Sequence, residues 1–184
     1  MVIKNKKSKS VYGPGPGNQE IARHTLSVLV DNEPGVLARV VGLFSGRGYN
    51  IESLTVAEVD HSLDRSRINI VTFGDEMIIN QIRAQLERLV PVFKVVDLTV
   101  EGPSIERELA LVKVVALGEN RIEALRVADI FRARAVDSTL GSFVFEVTGD
   151  SSKINAFIDL MRPLGLAEVS RTGVVAIARG VEAM

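Results

Sequence analysis

The chain has 184 residues, of which 46% are hydrophobic and 24% are charged, so it is long enough for one domain or two small ones with a sizeable core. It contains no cysteine, which excludes disulfides, thiolate metal sites and a cysteine nucleophile and favours a reducing compartment such as the cytoplasm. The formal net charge is -1, and lysines concentrated near the amino terminus leave the remainder mildly acidic, which argues against nucleic-acid binding. No apolar run approaches the ~20 residues of a membrane-spanning helix, so no membrane association is expected.

Residues 1–20 differ in composition from the rest of the chain. They contain four lysines and the run GPGPG at 13–17, with almost no apolar surface to bury. The glycines follow no predicted strand, and the intervening prolines lack the N–H groups that a phosphate-binding loop presents. The sequence therefore predicts a disordered tail over 1–20.

Between residues 24 and 100, the apolar pattern predicts the order β-α-β-β-α-β, which is that of a ferredoxin-like domain. The predicted strands cover 24–30, 50–58, 67–73 and 93–100. Two helices lie between them, one ending at Gly46 and Gly48 and the other before Pro91. We place this first domain at 21–100.

After a break at 101–105, which we interpret as a linker, the same order begins again. The predicted strands of this half cover 109–117, 135–140, 143–148 and 166–178, with two helices between them. The predicted fold class is thus α+β, with two tandem ferredoxin-like βαββαβ domains, the second at 106–184.

Residue types suited to catalysis are sparse. His24 and His61 are the only histidines, which leaves little material for a Ser-His-Asp triad or a histidine-rich metal site. We expect His24 to face solvent at the start of a strand, and His61, between Asp60 and Asp64, to lie in a solvated hairpin loop. No catalytic residue and no metal ligand are predicted, and the chain is not expected to be an enzyme on its own.

RNA-recognition domains share this element order and stack bases on aromatic side chains of their central strands. Here the first strand has no aromatic residue and the third ends on a single one, Phe73. Together with the acidic character of the folded part, this argues against RNA binding.

The loop NEPGVL at 32–37 joins the first strand to the first helix and carries the clearest ligand-binding signal. Free N–H groups and the positive end of the helix dipole at such a position favour a carboxylate. Gly35 lets a ligand approach the backbone, Asn32 offers an amide, and Asn50, which opens the neighbouring strand, offers a second. The alternative is that Asn32 only caps the helix and Gly35 only eases the turn.

Four longer segments extend these observations. They are HTLSVLVDNEPGVLARVVGLFSGRGYNIESLTV at 24–56, IERELALVKV at 105–114, IFRARAVD at 130–137 and VSRTGVVAIARG at 169–180. The chain closely resembles, over both halves, the small regulatory subunit of acetolactate synthase (acetohydroxyacid synthase). This resemblance implies an amino-acid-sensing ACT domain at 21–100, followed by the family's own carboxy-terminal domain. The charged loop 58–65 and the tail depart from the family pattern, and we expect neither to touch the loop 32–37.

The resemblance also implies a division of labour. The small subunit performs no chemistry and holds no cofactor, whereas a separate large catalytic subunit carries thiamine diphosphate, Mg²⁺ and FAD. The small subunit activates that partner and confers feedback inhibition in valine, leucine and isoleucine biosynthesis, in the cytoplasm. ACT domains of the family form a homodimer edge to edge, with the effector, usually valine, between the first helix start of one chain and a segment of its partner. The residues that match the effector site are Asn32, Pro34, Gly35, Val36, Leu37, Asn50 and Ile51.

Two other interpretations remain open at this point. The chain resembles ACT-type sensors generally, so it is compatible with a sensor attached to a different biosynthetic enzyme. A standalone transferase is the second alternative.

Overall fold

The computed structural model describes residues 20–181. The predicted disordered tail therefore lies outside the described residues except at Glu20, and so do the last three residues of the second predicted domain. Within 20–181, no helix is long and apolar enough to cross a membrane.

The amino-terminal half forms a four-stranded antiparallel sheet with two helices on one face. Its elements are β1 (Ala22–Asp31), α1 (Val36–Ser45), β2 (Ile51–Asp60), β3 (Arg65–Gly74), α2 (Glu76–Leu86) and β4 (Val92–Asp97). The strand order is β2-β3-β1-β4. β1 and β3 are therefore central, and β2 and β4 are the two edges.

The core of this half lies between the sheet and its helices. Alternate residues of β1, Leu26, Val28 and Val30, pack against Val40 and Phe44 of α1. The intervening residues of β1 face the other side of the sheet and are also buried, so β1 is covered on both faces. A second group of side chains must therefore cover the face that carries no helices.

The carboxy-terminal half repeats this architecture. Its elements are β5 (Ser104–Val115), α3 (Gly118–Phe131), β6 (Arg134–Ser138), β7 (Ser142–Gly149), α4 (Ser151–Met161), a 3₁₀ turn (Arg162–Leu164), β8 (Leu166–Arg171) and β9 (Val175–Ala178). The order β6-β7-β5-β8 matches that of the first sheet, strand for strand. The predicted α+β fold with two ferredoxin-like units is confirmed.

Strand boundaries differ from the prediction where β5 changes partners. Residues 108–115 of β5 pair with β7, whereas Ser104 to Arg107 pair with β9. The single strand predicted at 166–178 is in fact two strands, β8 and β9, which pair with different parts of β5. The predicted linker 101–105 overlaps β5 from Ser104 onward. β4 ends at Asp97 rather than at residue 100, because the Asp97 carboxylate accepts from the Thr99 amide at 2.9 Å and starts a turn.

The connection from β8 to β9 covers the helix-free face of the first sheet. The Val174 amide donates to Ser53 Oγ at 2.8 Å, and Thr55 Oγ1 donates to the Val174 carbonyl at 3.0 Å. Val174 and Ala176 form a small apolar cluster with Val71 of β3 and with Leu98. The two halves are thus joined by a packed interface.

His24 does not face solvent as expected. It is 8% exposed, and its Nδ1 lies 2.7 Å from an Asp97 oxygen, with Asp97 itself buried on the adjacent strand. The sequence placed His24 correctly at a strand start but did not indicate that β4 runs beside it.

Candidate functional site

The loop between β1 and α1 leaves the start of α1 without a side-chain cap. Among residues 20–181, no side chain accepts a hydrogen bond from the first turn of α1, and that turn contains no acidic residue. By contrast, Asp75 caps α2 and Asp150 caps α4, each accepting from a backbone amide at 2.8 Å. The first N–H groups of a helix have no partner within the helix, so the start of α1 presents unused donors together with the positive end of the dipole.

Gly35 is the residue that precedes α1. Its φ of 89° lies in the left-handed region, which an L side chain rarely adopts. A Cβ added at this position would meet no atom within 4 Å. The backbone conformation therefore favours glycine here, and the space beside it among the described residues is open to a ligand.

Asn32 does not cap α1, which removes one interpretation left open by the sequence. Its side-chain oxygen accepts from Ser66 Oγ at 3.0 Å, and its backbone amide donates to the Asp64 carbonyl at 2.7 Å. The charged loop 58–65 therefore contacts the loop 32–37, contrary to expectation, because the β2–β3 hairpin ends beside the end of β1. Within residues 20–181 the Asn32 amino group donates no hydrogen bond, so it remains available beside the helix start.

The remaining predicted residues of this loop supply apolar surface. Pro34 is exposed, Leu37 is 41% exposed, and Val36 is buried against the core. The first turn of α1 thus combines unpaired amide donors with an accessible apolar side chain, an arrangement that fits the carboxylate and the aliphatic group of a small amino acid.

Asn50 and Ile51 lie at the opposite end of the same sheet. The start of β2 lies level with the start of β1, because Ile51 and His24 both pair with Thr72 of β3. The ends of the two strands also lie level, because Asp60 and Asp31 both pair with Arg65. At about 3.3 Å per strand residue, Asn50 lies on the order of 25–30 Å from the loop that contains Gly35. One chain alone does not bring the two groups together, and β3 lies between β1 and the strand that Asn50 opens.

The hairpin loop after β2 holds its carboxylate by local contacts. The Asp60 carboxylate accepts from Ser62 Oγ at 2.6 Å and from the amides of Ser62 and Leu63. The Ser62 hydroxyl, followed by these backbone amides, holds the pKa of Asp60 below its ordinary value. His61 Nδ1 lies 2.5 Å from Glu58 on the surface. In the part of the chain that the structure describes, no three His, Cys, Asp or Glu residues are grouped so that they could hold a metal.

Comparison with known proteins decides the family. Residues 107–180 match the family model described as the small subunit of acetolactate synthase, and residues 26–94 match that of the AHAS small subunit-like ACT domain. A probable acetolactate synthase small subunit of Archaeoglobus fulgidus is 51% identical over 158 residues, which cover 86% of this chain and 98% of the relative. The chain belongs to the acetolactate synthase small-subunit family.

Further members of the acetolactate synthase small-subunit family agree. The isozyme 3 small subunit of Escherichia coli is 46% identical over 163 residues, which cover 88% of this chain and 99% of that protein. The crystal structure of the acetolactate synthase small subunit from Thermotoga maritima aligns with a TM-score of 0.80 at 39% identity, covering 88% of this chain and 100% of that one. The resemblance deduced from the four segments is confirmed, and the chain is assigned to branched-chain amino-acid biosynthesis. The alternative of an ACT sensor for an unrelated enzyme is set aside.

Proposed function

We propose that this chain regulates acetolactate synthase by binding valine, or another branched-chain amino acid, at the start of α1. The uncapped first turn of α1 carries the proposal. The valine carboxylate would accept from the amides of Leu37 and Ala38, since the Val36 amide already donates to the Glu33 carbonyl at 3.4 Å, and the Asn32 amino group would donate to the same ligand. Leu37 offers an apolar contact for the isopropyl group.

The proposed site is completed by a second copy of the chain. β2 is an edge strand whose pairing partner within residues 20–181 is β3, and an unpaired edge favours the addition of another strand. If β2 pairs with the partner's β2 in antiparallel fashion, the start of one strand lies beside the end of the other. The partner's Asn50 and Ile51 would then reach the end of the sheet that carries Asn32 and Gly35, which accounts for their separation within one chain.

Catalysis, in this proposal, belongs to a large subunit that the small subunit activates and through which valine exerts feedback inhibition. That large subunit would carry thiamine diphosphate, Mg²⁺ and FAD. The absence of cysteine from the whole sequence supports the cytoplasm as the location.

The test is Gly35→Asp, with Gly35→Asn as the matched control. Both side chains tolerate the left-handed region better than most others, and both impose similar strain, about 1–2 kcal/mol. Only aspartate places a negative charge beside the carboxylate. Loss of a charge-assisted hydrogen bond costs about 1.5–3 kcal/mol, so we expect valine affinity to fall by about ten- to a hundredfold in Gly35→Asp and by much less in Gly35→Asn.

Valine binding is measured by calorimetry on the small subunit. Valine inhibition is measured on the complex with the large subunit and expressed relative to each variant's own activity without valine. Circular dichroism establishes that both variants fold. If folded Gly35→Asp binds valine with the wild-type dissociation constant, the effector does not bind at the start of α1.

A further inference from the structure

The helix-free face of the first sheet carries two cations in one row. Arg67 of β3 and Lys94 of β4 both pair with Leu29 of the central strand β1. Residues paired in this way point to the same face, and the two cations are separated by two strand spacings, about 9.6 Å between backbones. Both side chains are long enough to bring their charged groups to a common point above Leu29.

A cleft of about 380 Å³ lies above this row, between the sheet and the chain around β9. Its volume falls within the range of roughly 300–1,000 Å³ that is typical of small-molecule sites. The polar groups in its lining include Ser27, Arg67 and Lys94, and the apolar ones include Val96, Leu98 and Ile177.

Three buried polar atoms on this face of the sheet lack a hydrogen-bond partner within residues 20–181, and two of them, on Ser27 and Arg67, line the cleft. Ser27 is 1% exposed, and its hydroxyl forms no hydrogen bond within residues 20–181. The buried Nε of Arg67 is likewise unpartnered, as is the side-chain oxygen of Asn69, which pairs with Ser27 across the strands. Buried polar groups are nearly always hydrogen-bonded in native proteins, so a cluster of three on one face indicates a missing partner.

The charge at the cleft is unbalanced as well. Among the described residues, neither Arg67 nor Lys94 has a carboxylate within ion-pair distance. Glu101 is the acidic residue in the lining, and it is already engaged by Arg83 at 2.7 Å. Two neighbouring cations without a counter-charge favour an anion between them.

We propose that this cleft binds a small organic anion with a carboxylate or phosphate head and a short apolar body. The guanidinium of Arg67 and the ammonium of Lys94 hold the head, and the Ser27 hydroxyl donates to it. The apolar body packs against Val96, Leu98 and Ile177. Because Ile177 lies in β9, the bound anion bridges the two domains.

This site is distinct from the proposed valine site. The start of α1 belongs to the helix-bearing side of the sheet, whereas Arg67 and Lys94 lie on the face covered by the carboxy-terminal domain. The inference therefore goes beyond the proposed function and does not depend on it.

The test is calorimetric titration of the full chain with three probes: isovalerate, inorganic phosphate, and isoamyl alcohol as the uncharged analogue of isovalerate. The titrations are made in saturating valine, so that the proposed effector site does not contribute. We expect saturable binding of at least one anion and none of the alcohol. Isovalerate and phosphate distinguish a carboxylate from a phosphate ligand.

Three variants locate the binding. We expect Arg67→Gln to weaken binding of the anion at least about tenfold, and Ser27→Ala to weaken it by about ten- to a hundredfold, as for one hydrogen bond to a charged group. Arg88→Gln is the matched control, because it removes an exposed charge after α2, outside the lining of the cleft. It should leave the affinity within about twofold, since surface charges act weakly at a distance.

Lys94→Gln is a second probe if Arg67→Gln fails to fold, because Lys94 is exposed and its removal disturbs packing little. The proposal is overturned if neither anion binds, or if the folded Arg67 or Lys94 variant binds as tightly as Arg88→Gln. Loss of valine binding in Gly35→Asp with intact anion binding would support both sites separately.

Discussion

Replacing Gly173 with alanine is expected to loosen the contact between the two domains. Gly173 lies in the connection between β8 and β9, against β2 of the first domain, and its φ is +82°. A Cβ at this position would lie 2.6 Å from Ser53 Oγ and 3.1 Å from Thr55 Cγ2. Ser53 is also the acceptor for the Val174 amide, so it cannot move away without breaking that hydrogen bond.

Two costs follow from this geometry. The left-handed conformation costs a non-glycine residue about 1–2 kcal/mol, and a displaced Ser53 loses a hydrogen bond that contributes about 0.5–1.5 kcal/mol. Gly48→Ala is the matched control, because Gly48 has a φ of +69° and no atom within 4 Å of the added Cβ. The two variants should therefore share the backbone strain and differ by the interdomain contact, about 0.5–1.5 kcal/mol.

Hydrogen exchange monitored by mass spectrometry is the suitable assay, because it reports local opening in a protein with two domains. Peptides covering 172–178 should exchange faster in Gly173→Ala than in Gly48→Ala, by about ten- to several-hundredfold, because both the strain at residue 173 and the lost hydrogen bond act on that segment. Urea unfolding of both variants gives the accompanying loss of global stability. If peptides covering 172–178 exchange at the same rate in the two variants, the contact with Ser53 does not hold the domains together.

Two further predictions concern the carboxy-terminal domain. The Ser152 hydroxyl and then the Lys153 amide hold the pKa of the Asp150 carboxyl below its ordinary value, so its stabilising effect is present above about pH 3.8 and is lost as the pH falls through the lower folded pKa. Asp150→Ala should lower the free energy of unfolding by about 0.5–2 kcal/mol at pH 7. Asp150→Asn should keep much of the helix cap, but its stability should no longer fall with pH through the titration of this residue. Equal acid dependence of stability in wild type and Asp150→Asn would contradict this. Glu108 is 4% exposed, and its carboxylate accepts from Arg171 Nε and Nη2 at 2.6 Å each. Glu108→Gln should therefore lower the free energy of unfolding, measured in urea, by about 1.5–3 kcal/mol. An unchanged urea midpoint would show that this ion pair does not contribute to stability.

Local patterns were sufficient to predict most elements of the fold. β7 alternates buried and accessible residues along its length, and α4 repeats buried residues at helical spacing, so both could be identified from periodicity alone. The start of α1 was also predictable, because Pro34 and Gly35 are local signals for a turn before a helix. These features depend on residues close together in sequence.

The features that were missed depend on distant segments. His24 is buried because β4 and Asp97 lie beside it, more than seventy residues later in the chain. β5 is one continuous strand, and only the distant segments β7, β8 and β9 divide it among three partners. Asn50 was correctly placed at the start of a strand, but β2 runs parallel to β1 after the crossover through α1, so its start lies at the far end of the sheet from Asn32, with β3 in between.

The internal repeat gives an independent argument for why the proposed effector site lies in the first domain. α3 is the counterpart of α1, follows the central strand β5 in the same way, and likewise has no side-chain cap from the part of the chain that the structure describes. Its first turn contains Glu119, however, whereas the first turn of α1 contains no acidic residue. A carboxylate on the helix itself neutralises the positive end of the dipole and repels a ligand carboxylate. The two domains have the same fold. Among the helices that the structure describes, however, only α1 combines amides that donate no hydrogen bond with a first turn that contains no acidic residue.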